Sequence, residues 1–401
     1  ITEALKEEKN LLTVKVRDYS ETCYYSRGKQ KLKNGGMFYT AQSGIWQTVW
    51  IEKVPECYIG HLKITPLYDQ SSIMIQMEEE HGIKDIDYEV TITARKMWPV
   101  KASGKTGKPC VIMIPHMRSW SPEDPFLYDL HVRMGEDSVE SYFAMRKVEV
   151  KNDKEGIPRI FLNNEPYFEK GVLDQGYWPD GLYTPPCDEA MIYDIQKMKD
   201  LGFNMIRKHI KIEPQRWYYH CDRIGMLVWQ DMVNGGGKMN QWYVTYLTNA
   251  LLPLLRHTPD AKPLWGLLGR ETEASRESYQ TELKATVEAL RCHPCIGCWV
   301  PFNEGWGQFD ARAATAALRA LDDTRLIDEA SGWYDQGGGD VDSRHNYFYP
   351  LRIRPGGRTV ALSEYGGIAW PMPGHEPPGK TYGYGTAKDK ADLTKRYKML
   401  Q

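Results

Sequence analysis

The chain has 401 residues and a formal net charge of −2, with 51 Lys and Arg against 53 Asp and Glu. That length exceeds one ordinary core and predicts two or three domains. The near-balanced charge argues against nucleic acid or an anionic membrane surface as a partner, and no run approaches the ~18 apolar residues that a membrane-crossing helix needs.

Residues 1 to about 150 read as all-β. Leu12, Val14 and Val16 alternate with polar residues, as do Tyr88, Val90 and Ile92, and Tyr128, Leu130 and Val132. Period two is the strand signal. Asn34-Gly35-Gly36, Ser43-Gly44, Thr65-Pro66 and Ser103-Gly104 are expected to break these runs. Short strands with frequent turns predict β-sandwiches. A boundary near Pro66 divides a first piece, 1–62, from a second of immunoglobulin size, 63–150. The first piece is too short to close its own sandwich. The chain opens with Ile1 and carries no visible signal peptide. It is read as the middle of a larger protein, with its compartment (periplasm, exterior or cytoplasm) left open.

After the polar linker Lys151 to Gly156 the pattern changes. Asp188 is expected to cap a helix whose apolar face is Met191, Ile195, Met198 and Leu201, with Gly202 ending it. Pro214 suits a first helical turn, Trp217, Tyr218 and Cys221 form that helix's inner face, and Gly225 stops it. A longer helix carries Tyr279, Leu283, Val287 and Leu290. Strands are expected near Phe168, Asn204, Leu227, Trp299, Leu326, His345 and Leu362, and a last helix from Ala387 to Gln401. Alternating strand and helix means parallel β with crossovers. Seven strands are one short of a (β/α)8 TIM barrel, so 151–401 is expected to be such a barrel lacking its last strand.

Eight cysteines are few for a disulfide scaffold of this length. Cys292, Cys295 and Cys298 resemble a metal knuckle, but they run into an apolar strand and no second ligand cluster answers them. Buried free thiols are the expectation, with no metal and no cofactor.

In a barrel of this kind the C-terminal strand ends form the active face. Arg207 and His209 follow the second strand, Asp231 closes the third, Asn303 and Glu304 the fourth, and Glu364 the seventh, while His345 and Tyr347 lie on the sixth. A lone Glu at a strand end is most often a solvated loop residue. Two carboxylic acids emerging from apolar strands at one rim are costly unless used. Cleavage of a glycosidic bond needs such a pair, about 5–5.5 Å apart in retaining enzymes. Proximity would raise one pKa, and an adjacent cation such as Arg207 would keep the other group ionised. The 13 Trp and 25 Tyr, against 9 Phe, suit the half-apolar faces of pyranose rings, though a β-rich core accounts for them equally well.

Cys298-Trp299-Val300-Pro301-Phe302-Asn303-Glu304-Gly305-Trp306-Gly307, with His293-Pro294 upstream, resembles the acid/base motif of glycoside hydrolase family 2, and Ser363-Glu364-Tyr365-Gly366 is similar to that family's nucleophile strand. Gly44-Ile45-Trp46-Gln47 resembles the end of its sugar-binding jelly roll. Trp120-Ser121-Pro122 with Pro125-Phe126-Leu127-Tyr128, then Met145-Arg146-Lys147-Val148, resembles its immunoglobulin-like domain. The resemblance implies Glu304 as acid/base and Glu364 as nucleophile. Asn303 would bind the sugar 2-hydroxyl, with Arg207 and Tyr347 on the nucleophile. His209, Asp231, His345, Trp178, Trp306 and Trp333 would line subsites. Departures are present: Lys208-His209-Ile210-Lys211 stands where β-galactosidases carry Ser-His-Tyr-Pro, Phe302 replaces a usual Gly, and Val228-Trp229-Gln230-Asp231 is closer to β-mannosidases. No Asn-Lys-Gly-like signature of β-glucuronidases is seen. The expectation is a retaining, exo-acting β-glycosidase, β-galactosidase first and β-mannosidase or β-glucuronidase next, against a catalytically silent glycan-binding protein or a purely structural domain. Its partner is a carbohydrate, and a homo-oligomer is left open.

Overall fold

The computed structural model describes residues 2–248, 251, 256–348, 353–372, 374 and 381–400. Seven strands, β1 (Ile59–Leu67), β2 (Ser72–Glu79), β3 (Asp87–Thr93), β4 (Val100–Lys105), β5 (Cys110–Met113), β6 (Tyr128–Met134) and β7 (Asp137–Phe143), form two antiparallel sheets, β1-β2-β5 and β4-β3-β6-β7. Alternate residues point inward, as period two requires. Ile73, Ile75 and Met77 of one sheet thus meet Tyr88, Val90, Ile92, Leu130 and Val132 of the other in one dry layer.

A hairpin, β8 (Val148–Asn152) and β9 (Pro158–Leu162), leads to the barrel. The barrel runs β10 (Gly171–Asp174), α1 (Asp188–Asp200), β11 (Met205–Lys208), α2 (Gln215–Ile224), β12 (Leu227–Asp231), α3 (Glu273–Leu290), β13 (Ile296–Val300), β14 (Phe302–Asn303), α4 (Ala311–Leu321), β15 (Leu326–Ile327), β16 (Ala330–Ser331), β17 (Val341–Asn346), β18 (Thr359–Tyr365) and α5 (Lys390–Leu400). β10-β11-β12-β13-β15 form one parallel sheet, extended at its upper end by β14 beside β16, and β17 pairs in parallel with β18. β14 continues β13, and β16 continues β15, so the described residues hold seven parallel barrel strands.

Two apolar layers hold this arrangement. Outside the strands, Ile206, Val228, Ile296, Trp299 and Ile327 pack against Met191, Ile195, Trp217, Tyr218, Leu283, Val287 and Leu318 of the helices. Inside, Trp229, Cys298, Val300, Leu326 and Val341 pack on Val148, Ile160 and Leu162, so the β8–β9 hairpin fills the lower end. The sandwich is fastened to the barrel through Asp222 in α2. Its carboxylate accepts from Tyr142 Oη at 2.6 Å and from the Cys295 amide at 2.7 Å, and it lies 2.9 Å from His293 Nδ1.

Several local expectations need correction. Leu12, Val14 and Val16 lie in no strand and are more than half exposed or nearly so (67%, 55% and 50%), because no partner strand covers them. Before β1 the pairings within this segment among the described residues are Gln30–Lys31 with Tyr39–Thr40 and the single bridge Gly35 with Phe38. Thr65-Pro66 lies within β1, an edge strand where the missing proline N–H is tolerated. β1 itself begins at Ile59, ahead of residue 63. Ser103-Gly104 lies within β4. A Cβ at Gly104 would stand 2.4 Å from the Tyr88 ring, so close packing rather than a turn explains this glycine. Asp188 does not cap α1. Cys187 is the N-cap, without a side-chain hydrogen bond, and Asp188 pairs with Arg216 instead. Leu201, past the end of α1, is exposed, and Phe168 precedes β10 and is exposed too. All eight cysteines are free, but Cys292 is exposed while Cys221, Cys295 and Cys298 are buried. Gln401 lies outside the described residues.

Candidate active site

The rim brings the expected polar residues together. Arg207, on the inner face of β11, is 1% exposed. It donates from Nε to Asp231 Oδ1 at 2.9 Å, from Nη2 to Asp231 Oδ2 at 3.0 Å and to Asn303 Oδ1 at 2.8 Å, and from Nη1 to Glu364 Oε1 at 2.9 Å. Asp231 also lies 2.8 Å from His209 Nδ1. His345, across the mouth, lies 2.7 Å from Glu304 Oε1 through Nδ1 and 3.6 Å from Glu364 Oε1 through Nε2. Tyr347 donates its hydroxyl to Glu364 Oε2.

Backbone features aim the two glutamates. Glu304 ends the fourth strand at φ +53, a conformation side chains rarely adopt, and its amide is held by the Ser331 carbonyl at 2.9 Å. Glu364 depends on a bulge. Ala361 lies against the interior cluster, and Ser363 shares the Ser331–Ser343 hydroxyl group. Simple alternation would therefore send Glu364 outward. The pairing of β17 with β18 slips between Arg344 and His345, so that Arg344 faces Leu362 but His345 faces Glu364. The extra residue, Ser363, turns Glu364 back into the mouth, as bulges near functional sites do.

The electrostatics separate the two carboxyl groups. Burial opposes ionisation of Glu364, but the charges of His345, Arg207, His209 and Lys29 override it and hold the group well below the usual carboxylate range. Asp231 follows the same logic, with Arg207 and His209 overcoming burial. Burial pushes the Tyr347 hydroxyl far up, helped by both glutamates, so it remains a donor. The nearest oxygens of Glu304 and Glu364 and a ring nitrogen of His345 all lie within 4.8 Å of one another. These are also the described residues spaced to hold a metal ion. One carboxylate fixed as an anion, facing another on the opposite wall, can support nucleophilic attack on one side of a bound atom and proton transfer on the other.

Two models of a single family match this chain. The one described as glycosyl hydrolases family 2 covers residues 57–146, and the one described as glycosyl hydrolases family 2, TIM barrel domain covers 187–347. The chain belongs to glycoside hydrolase family 2. A β-galactosidase of Klebsiella pneumoniae is 22% identical over 365 residues, covering 84% of this chain and 32% of that protein, so the chain spans about a third of such curated relatives. Among solved structures, a β-D-glucuronidase of Dictyoglomus thermophilum superposes with a TM-score of 0.62 at 17% identity over 86% of this chain and 60% of that one. A family 2 β-galacturonidase of Eisenbergiella tayi, bound to galacturonate, gives 0.57 at 17% identity over 81% and 59%. At such identity these structures support the fold, a sandwich joined to a TIM barrel.

Not every expected family 2 site residue sits alike. Trp333 is buried and meets His345 edge-on at 5.8 Å, and Trp306 is 7% exposed beside Phe38. Trp178 stands apart, bridging to Leu182 and packing on the layer between strands and helices. The departures Lys208 and Lys211 prove buried, both 2.9 Å from Glu213 Oε1. Other residues escaped sequence reasoning. Tyr384 stacks on Tyr347 at 3.7 Å, Ser331 lies 3.0 Å from His345 Nε2, and Lys29, from far upstream, is buried where its charge is felt by Glu364 and Glu304. Only Ser363, inside a motif, had any sequence signal.

Proposed function

We propose that this chain carries the catalytic centre of a retaining, exo-acting β-glycoside hydrolase working by double displacement. The observation that carries this reading is the spacing of Glu304 and Glu364, whose nearest oxygens are within 4.8 Å across the mouth with His345 between them. Retaining enzymes hold their carboxyl groups about 5–5.5 Å apart, whereas inverting ones leave room for an intervening water.

In this reading Glu364, anionic between Arg207 Nη1 and Tyr347 Oη, attacks the anomeric carbon. The carbon–oxygen bond to the leaving group breaks, and Glu304 gives its proton to that oxygen. Glu304, now a carboxylate, takes a proton from water, which displaces Glu364 and releases the sugar with its β configuration. Asn303, its Oδ1 held by Arg207 Nη2, binds the sugar beside the reacting carbon. Trp306, Trp333, His209 and Asp231 shape the subsite. The domains proposed are a jelly-roll piece ahead of Ile59, an immunoglobulin-like sandwich from Ile59 to about residue 150 and the catalytic barrel (151–401).

A β-galactoside is the first sugar to test, in keeping with the β-galactosidase relatives. A β-uronide is the second reading, favoured by the buried Lys29. The reaction is tested with a panel of aryl β-glycosides followed by NMR. Retention of the β anomer and covalent labelling of Glu364 by a 2-fluoro glycoside are expected. Glu364→Gln abolishes turnover with an unchanged melting temperature. An α product, or full activity in that variant, refutes the mechanism.

A further inference from the structure

Lys29 is only 8% exposed. Its place is fixed by the backbone on either side. The Gly28 amide donates to the Asn234 carbonyl at 2.8 Å, and Arg27 Nη1 to the Gly236 carbonyl at 2.6 Å. The Lys29 carbonyl accepts from Tyr39 at 2.8 Å. Gly28 has φ +63, and a Cβ there would stand 2.8 Å from the Ile210 carbonyl, so the chain presses against the rim between the second and third strand ends where only glycine fits. The next side chain is carried into the mouth.

The other buried cations here have partners, Arg270 in the Gly307 and Ser275 carbonyls and Asn234 Oδ1, and the rest in acids. Arg207 has Asp231 and Glu364, Lys208 has Asp174 and Glu213, and Lys211 has Glu213. Among the described residues no carboxylate lies within 4.0 Å of the Lys29 ammonium. Burying an ammonium without a paired anion is costly. The nearby acids are already engaged, Glu364 by Arg207 and Tyr347, and Glu304 by His345. When Glu304 carries the proton it must donate, Lys29 is left facing Glu364 and Asp231, both already bound to Arg207. His209 Nε2, buried nearby, also lacks a partner. A cavity of about 810 Å³ adjoins this region, walled by Trp306 and Phe38 and by the cations Arg27, Lys31 and Lys238, with Glu21 as its acid. A neutral sugar would leave the buried Lys29 without an anion of its own.

We propose that Lys29 binds a carboxylate on the sugar entering the mouth, so that the substrates are terminal β-uronides of acidic glycans. This rests on the glycosidase reading above. Lys29 is then the specificity-determining residue, and the cationic cavity receives the remaining acidic chain.

The test compares aryl β-glucuronide and β-galacturonide with the matching β-glucoside and β-galactoside, using the full chain. One uronide is expected to exceed its neutral counterpart in kcat/KM by roughly a hundredfold or more, the scale set by a buried polar group left unpaired. Lys29→Met brings the ratio to within about tenfold, and Lys29→Arg, which keeps the charge, retains most of it. A wild type that prefers the neutral sugar, or a ratio unmoved in Lys29→Met, overturns the inference while leaving the glycosidase reading intact. Calorimetric titration of Glu364→Gln with free glucuronate and galacturonate separates the two. Uronate binding that is lost on adding Lys29→Met, with no turnover of any glycoside by the wild type, sinks the hydrolase reading and upholds the site.

Discussion

Arg207 and Asp231 meet in a two-pronged ion pair inside the barrel, Nε to Oδ1 at 2.9 Å and Nη2 to Oδ2 at 3.0 Å. The fork fixes the guanidinium plane, and that orientation presents Nη1 to Glu364 and Nη2 to Asn303 as well. A lysine could supply the charge but not the plane. Arg207→Lys is therefore expected to lower kcat by about a hundredfold or more with a smaller change in KM. Asp231, left without its paired fork in a buried site, should make the protein less stable by about 3 kcal/mol. Steady-state kinetics with denaturant unfolding reads both effects, and a variant with wild-type kcat would remove Arg207 from the proposed mechanism.

Glu304 is the more accessible of the two glutamates, its side chain 21% exposed against 6% for Glu364. A proton donor must communicate with water to be recharged between the two half-reactions. Glu304→Ala is expected to slow substrates with poor leaving groups by roughly a thousandfold and those with nitrophenyl-type leaving groups much less, since the latter depart without a proton. Equal losses on both kinds of substrate would deny Glu304 the acid role.

Asp328 follows β15 beneath this centre and is 1% exposed. Burial pushes its carboxyl up to about 6, and the Arg207 charge restrains the rise only in part. The folded state thus holds a proton more tightly than the unfolded chain, whose aspartates titrate near 3.9. The contribution to stability is present below about pH 4 and is lost as pH rises through about 6. Asp328→Asn has no such loss. Its stability relative to wild type should be near zero below pH 4 and grow by up to about 3 kcal/mol at pH 8. Melting temperatures across that range decide the matter, and parallel pH curves for the two proteins would clear Asp328 of the effect.

Much of this centre could be read from the chain because barrel chemistry is written at strand ends. Leu227 to Asp231 and Ile296 to Glu304 are apolar runs closed by polar residues, and each run forms a strand that delivers its last side chains to the rim. The orientation of Glu364 was not legible in this way. It depends on a register slip between β17 and β18, and alternation along β18 alone gives the opposite face. Lys29 was invisible for a different reason. Its segment has no apolar periodicity and is held by backbone hydrogen bonds to Asn234 and by the Arg27 side chain on the Gly236 carbonyl, more than two hundred residues away. The alternation of Leu12, Val14 and Val16 misled, because period two describes a strand only where a partner covers one face. Asp188, a good capping residue by type, was drawn away by Arg216.

His293 and Asp222 tie sandwich to barrel, and their charge state should set the stability of that joint. Burial favours neutral imidazole, but the hydrogen bond and charge of Asp222, helped by Cys292, push His293 up to about 10. The folded value lies above the unfolded one, so the pair's contribution is fully present below about pH 6.5 and is lost as pH rises through about 10. Asp222 also receives Tyr142 from the sandwich and the Cys295 amide at the foot of β13. Asp222→Ala removes the acceptor shared by all three, leaving Tyr142 and His293 only each other at 3.0 Å, and a loss of about 3–5 kcal/mol at neutral pH is expected. The variant should also reverse the acid side of the profile. With no carboxylate beside it, buried His293 resists the proton that the unfolded chain accepts, so stability falls further as pH drops through about 6.5. Urea unfolding at pH 5.5 and 7.5 checks the sign: a variant that gains stability at the lower pH, as the wild-type pair predicts, would show that Asp222 is not what charges His293.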